Sequence, residues 1–93
     1  MAYDLFIKPS AEKDLIYAID WYEERRPGLG LSLYHEISEV LEQIALYPEY
    51  FQKKYRTVRV RFTKRFNFGV HYIFDGSKVY VLAILHTSRK PLQ

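Results

Sequence analysis

Apolar residues recur at helical spacing in the first half of this chain and at alternate positions in the second. Ala11, Leu15, Ala18 and Tyr22 stand at i, i+4, i+7 and i+11, with Ile19 beside them, which lays one apolar stripe along an amphipathic helix. Ser10 is placed to cap that helix. Glu12 and Asp14 sit in its first turn, where the helix dipole favours negative charge, and Arg25 and Arg26 complement its other end. Pro27-Gly28 stops it, because the residue before a proline is pushed out of the helical region. Leu33, Ile37, Leu41 and Ile44 then repeat at spacings of four, four and three, with Tyr34 and Val40 widening the stripe. The second helix starts between Leu29 and Ser32 and ends at Tyr47-Pro48, so the spacing predicts an αα-hairpin.

Residues 3–8 form a short apolar run stopped by Pro9, which suits a strand. Residues 48–55 show no clean period and read as a loop. In residues 56–63, Val58, Val60 and Phe62 alternate with Arg59 and Arg61, as in a strand with one buried face. Phe66, Phe68, Val70, Tyr72 and Phe74 repeat the alternation, and Asp75-Gly76 is a tight-hairpin dipeptide. Residues 78–86 are apolar without alternation, as expected of a central strand covered on both faces. The order β-α-α-β-β-β predicts an α+β fold, a helical hairpin packed on one face of a mostly antiparallel four-stranded sheet. If the hairpin covers the side of Val58, Val60 and Phe62, then Arg59 and Arg61 project from the bare side.

The length of 93 residues matches one domain spanning 1–93, and the 48% hydrophobic content excludes a disordered chain. No window reaches a membrane span, nothing resembles a secretory signal, and the absence of cysteine removes disulfide frameworks and thiol nucleophiles. A cytoplasmic location fits. The net charge of +3 conceals a division. Residues 1–50 carry four basic and ten acidic side chains, whereas residues 51–93 carry ten basic and one acidic. Such an excess predicts a patch that faces a polyanion or an acidic partner.

Two sets of residues could carry chemistry. Lys53, Lys54, Arg56, Arg59, Arg61, Lys64 and Arg65 are interleaved with aromatic residues, a mixture that suits nucleic acid or an acidic protein. A solvated strand whose arginines protect a sheet edge is the plain alternative. His86, with Arg89 three residues on, could serve as acid or base beside a phosphate holder, although a histidine ending a strand commonly bonds a nearby carbonyl. His35 has no second ligand at i+3 or i+4, His71 reads as a partly exposed strand residue, Glu49 and Glu12 form no acid pair, and Gly28-Leu29-Gly30 lacks the rest of a phosphate-binding fingerprint. No metal or cofactor is implied.

Over nearly its whole length the chain resembles toxins of the RelE/ParE superfamily of bacterial type II toxin-antitoxin systems, often described as plasmid-stabilisation proteins. The resemblance runs through Ala11-Glu12-Lys13-Asp14-Leu15, Trp21-Tyr22, Pro27-Gly28-Leu29-Gly30, Pro48, Arg56-Thr57-Val58-Arg59 and His86-Thr87-Ser88-Arg89-Lys90-Pro91. It implies the same β-α-α-β-β-β fold and a hetero-oligomer with a cognate acidic or amphipathic antitoxin. ParE-like members bind DNA gyrase and are not enzymes. RelE-like members cleave mRNA on the ribosome, and in that case His86, Arg89 and Arg61 would be catalytic, with Glu49 as a base. The Trp21-Tyr22, Pro27-Gly28-Leu29-Gly30 and His86-to-Arg89 features look ParE-like. Arg56, Arg59, Arg61, Lys64 and Arg65 are the residues expected to bind target or antitoxin. An inactive remnant that binds only antitoxin is a third possibility.

Overall fold

The computed structural model describes residues 2–87. The chain runs β1 (Asp4–Ile7), α1 (Pro9–Arg25), α2 (Leu29–Leu46), β2 (Lys53–Tyr55), β3 (Val58–Phe62), β4 (Phe68–Phe74) and β5 (Lys78–His86). All strands join one sheet in the order β1-β5-β4-β3-β2, with β1 parallel to β5 and every other pair antiparallel. The α+β class and the helical hairpin agree with the sequence reading. The sheet has five strands, however, because β2 forms within the segment expected to be a loop. Its three residues are all exposed and show no apolar alternation, so nothing in their pattern marks a strand. Pairing across a bulge with β3 creates it, with Lys53 opposite Arg59 and Tyr55 opposite Val58.

Ser10 does not cap α1. The cap residue is Lys8, without a side-chain bond, and Pro9 opens the helix, where its missing N–H and fixed φ cost nothing. The second helix is capped by the first: Glu23 accepts the backbone N–H of Gly28 at 2.9 Å and of Gly30 at 3.0 Å. Gly28 makes the turn at φ 88°, in the left-handed region that favours glycine.

Leu33, Ile37, Val40 and Ile44 of α2 join Ala11 and Ala18 of α1 over Phe68, Val70 and Tyr72 of β4 and Val79, Val81 and Ile84 of β5. This core decides which face of β3 is covered. Arg59 lies opposite Tyr72 and Arg61 opposite Val70, whereas Val60 lies opposite His71 and Phe62 opposite Gly69. Directly opposed residues in an antiparallel pair share a face. Arg59 and Arg61 therefore lie on the helix side, and Val58, Val60 and Phe62 on the side without helices, the reverse of the expected arrangement. The hairpin loop sets this outcome, because a slip of one residue exchanges the two faces. Thr63 closes the loop by donating its N–H to the Phe68 carbonyl (2.8 Å) and accepting the Phe68 N–H on its hydroxyl (2.9 Å).

β4, not β5, is the central strand, although β5 is interior between β1 and β4. Nor is β5 covered on both sides: Val79, Val81 and Ile84 are buried, while Tyr80 and Leu85 are half-buried. On that second face Phe6 of β1 is 48% exposed and stacks on Tyr80. No helix among the described residues is long and apolar enough to cross a membrane.

Candidate functional site

The basic segment divides into held and unheld cations. Arg59 donates from Nη1 to the backbone carbonyls of Glu49 (3.2 Å) and Phe51 (2.8 Å). Arg61 donates from Nε to Gln43 Oε1 of α2 (3.1 Å), and its guanidinium lies 4.9 Å from the Phe51 ring centroid. Arg65 donates from Nε to Glu36 Oε2 (3.1 Å) and from its backbone N–H to Oε1 (2.8 Å). These three arginines tie the sheet to α2 and to the turn that follows it. Arg56 and Lys64 are exposed and have no hydrogen-bond or ion-pair partner among the described residues. The guanidiniums are thus distributed along the helix-side seam and do not converge on a bare surface.

Burial would push the Glu36 carboxyl up, but the amides of Arg65 and Phe66 and the Arg65 guanidinium outweigh it and hold the group below its ordinary range. Beneath the other end of the sheet, Arg59, Lys53, Thr57 and Glu49 line a pocket of about 270 Å³ with Tyr3 and Phe74. Two cations and a carboxylate line it, with no ion pair between them among the described residues.

His86 ends β5 with its ring edge-on to Phe68, centroids 5.2 Å apart. It lines a groove of about 300 Å³ against α1, with Asp14, Tyr17, Trp21, Tyr22 and Phe68. His86 and Arg61 share the helix-side face, but β4 runs between their strands. Two strand spacings put their backbones about 10 Å apart or more. Arg89 lies outside the described residues.

Sequence reasoning missed two features. The Tyr55 hydroxyl lies 3.0 Å from His71 Nδ1 on the face without helices, and burial lowers the His71 pKa, which favours the neutral ring. Only the β2 pairing brings these two together. The aromatic groove was missed because Trp21 and Tyr17 lie off the apolar stripe of α1, and they are 41% and 62% exposed. The sole signal for it was that Asp14, Tyr17 and Trp21 repeat at three and four. No group of three His, Cys, Asp or Glu able to hold a metal occurs among the described residues.

This arrangement of two helices on one face of a mixed sheet is shared with solved structures from toxin-antitoxin pairs. The chain superposes with a TM-score of 0.80 on a structure described as the chromosomal ParDE TA system from P. aeruginosa, at 19% identity, covering 91% of this chain and 96% of that one. It superposes at 0.62 on a structure of the toxin-antitoxin complex RelBE2 from Mycobacterium tuberculosis, at 16% identity, covering 92% and 99%. No curated protein matches the sequence. The sequence model of one family, described as ParE toxin of type II toxin-antitoxin system, parDE, matches residues 5–91, and the chain belongs to that family.

Proposed function

We propose that this toxin acts by binding DNA gyrase and is neutralised by a cognate antitoxin. The family match over residues 5–91 carries the reading. The side chains support it. The arginines that phosphate chemistry would use are engaged with Glu36, Gln43 and the carbonyls of Glu49 and Phe51, and His86 stands across β4 from Arg61. A toxin that works by association needs no convergent acid and base. The antitoxin is an acidic or amphipathic segment, matched to the unheld Arg56 and Lys64 and to the exposed aromatic rings, and a cytoplasmic location fits such a partner and target. Purified protein is expected to block gyrase supercoiling, and the antitoxin encoded beside it to restore activity. Normal supercoiling at high toxin excess removes gyrase as the target.

A second reading, ribosome-dependent mRNA cleavage, is favoured by one observation, the pocket lined together by Glu49, Lys53 and Arg59. Primer extension on ribosome-bound messages would then show A-site cuts that Arg59→Lys or Glu49→Gln suppresses. Uncut messages eliminate it.

A further inference from the structure

Neither reading assigns a specific ligand to the groove between α1 and the end of β5. Its walls are aromatic and meet at steep angles. Trp21 and Tyr22 are edge-to-face at 5.0 Å and 77°, and Tyr22 in turn meets Phe68 at 6.3 Å and 64°. Tyr17 and Trp21 are among the exposed rings of the molecule, so their faces are not spent on the core. An aromatic face is the negative side of the ring quadrupole and attracts cations. The indole already does so here, since the Arg25 guanidinium lies 3.6 Å from the Trp21 ring centroid.

Asp14 supplies the second observation. It lines the same groove, it is half-buried, and it has no hydrogen-bond or ion-pair partner among the described residues. Asp14, Tyr17 and Trp21 follow one another at i, i+3 and i+7 along α1, so they share one helix face. An apolar occupant would desolvate this carboxylate without pairing it, at a cost, and an acidic one would be repelled. A side chain with an aliphatic stem and a cationic head satisfies both the rings and the carboxylate.

We propose that this groove docks a lysine or arginine side chain of a partner protein. The charge preference is opposite to that of the basic seam, so the two surfaces select different segments. The volume of about 300 Å³ accommodates one long side chain with part of its backbone.

Trp21 is the only tryptophan, so its indole N–H gives a single reporter resonance. The probes are three acetylated, amidated tripeptides, Leu-Arg-Leu, Leu-norleucine-Leu and Leu-Glu-Leu, titrated into the full chain. The arginine peptide is expected to shift the indole resonance saturably and to bind about fivefold or more tighter than either control. Asp14→Asn and Tyr17→Ala should each reduce its affinity roughly three- to tenfold. Equal binding of all three peptides would mean that the groove reads apolar surface alone, and absence of any shift would leave it without an occupant of this kind; either result overturns the proposal. A variant with Arg89→Ser and Lys90→Ser serves as a control. If the arginine peptide binds that variant but not the parent chain, the cation comes from this chain and the partner assignment falls.

Discussion

Glu36 of α2 and Arg65 of the β3–β4 loop are joined twice: the carboxylate accepts the Arg65 backbone N–H at 2.8 Å and its guanidinium Nε at 3.1 Å. The Phe66 N–H donates to the same carboxylate at 3.2 Å. Glu36 is buried, whereas the Arg65 side chain is 70% exposed. The two partners therefore differ in what their loss would cost. Glu36→Ala strands two backbone donors and is expected to destabilise the fold by about 2–4 kcal/mol, while Arg65→Ala removes a solvent-screened pair and costs about 0.5–1 kcal/mol. Urea unfolding of both variants measures the ratio, and equal losses would contradict the assignment.

The same carboxylate fixes part of the acid limb. Its folded pKa lies below the ordinary value of 4.5, so its contribution is complete above that pH and is lost as pH falls through the lower, folded value. Glu36→Gln should show a shallower decline in stability below pH 4.5 than the parent chain, read from unfolding midpoints between pH 5 and 2.

Tyr72 predicts the opposite limb. Its hydroxyl donates to the Pro48 carbonyl at 2.7 Å, and burial, only partly offset by Arg59, pushes its pKa from 10.0 up to about 12. A folded value above the unfolded one means that the stability gained by keeping the phenol neutral is complete below pH 10 and lost as pH rises from 10 towards 12. Tyr72→Phe should cost about 1 kcal/mol at pH 7 through the lost hydrogen bond, and should decline less steeply above pH 10. Absorbance titration of phenolate should show a late-ionising contribution from Tyr72 in the parent chain that the variant lacks.

Gly30 tests the helix hairpin. A Cβ there would lie 2.6 Å from the Ile19 carbonyl oxygen and 3.0 Å from Glu23 Oε1. Alanine in a helix interior is worth about 1 kcal/mol more than glycine in propensity, but a clash with backbone outweighs that gain. Gly30→Ala is expected to destabilise by about 2 kcal/mol or more. Thermal unfolding that shows stabilisation would mean that the helices can separate at little cost.

The helices were legible because a stripe repeating near 3.6 residues is a signal carried by each helix alone. Leu33, Ile37 and Ile44 mark the α2 core face with no help from distant residues. The strands β3, β4 and β5 were legible as elements for the same reason. Which side of β3 meets the helices was not, because alternation defines two faces and names neither. The register with β4 decides it, and that depends on the loop hydrogen bonds of Thr63 with Phe68, which no periodicity encodes. β2 was hidden in a similar way, as Lys53–Tyr55 becomes a strand only through its partner. The basic residues were found, but their division into held Arg59, Arg61 and Arg65 and unheld Arg56 and Lys64 depends on where Glu36, Gln43 and the carbonyls after α2 lie in space.

That division leads to the last prediction, which separates binding from folding among residues of one charge. Arg61 is fixed to Gln43 and Phe51, and Arg59 to two carbonyls that would lose their donor, so alanine at either position should cost about 1–3 kcal/mol. A loss of toxicity in those variants then reports lost fold as well as lost charge. Arg56 and Lys64 are exposed and unpartnered among the described residues, and Lys64→Ala should leave stability within about 0.5 kcal/mol. Arg56 also sits at φ 49°, so Arg56→Gly relieves the backbone and should not destabilise. If the unheld cations face target or antitoxin, the Arg56→Gly, Lys64→Ala double variant will bind antitoxin more slowly at low salt, with a flatter salt dependence, while its unfolding curve overlays the parent's. Unchanged association rates in that variant would place the interface away from both residues and leave the aromatic surfaces to carry it.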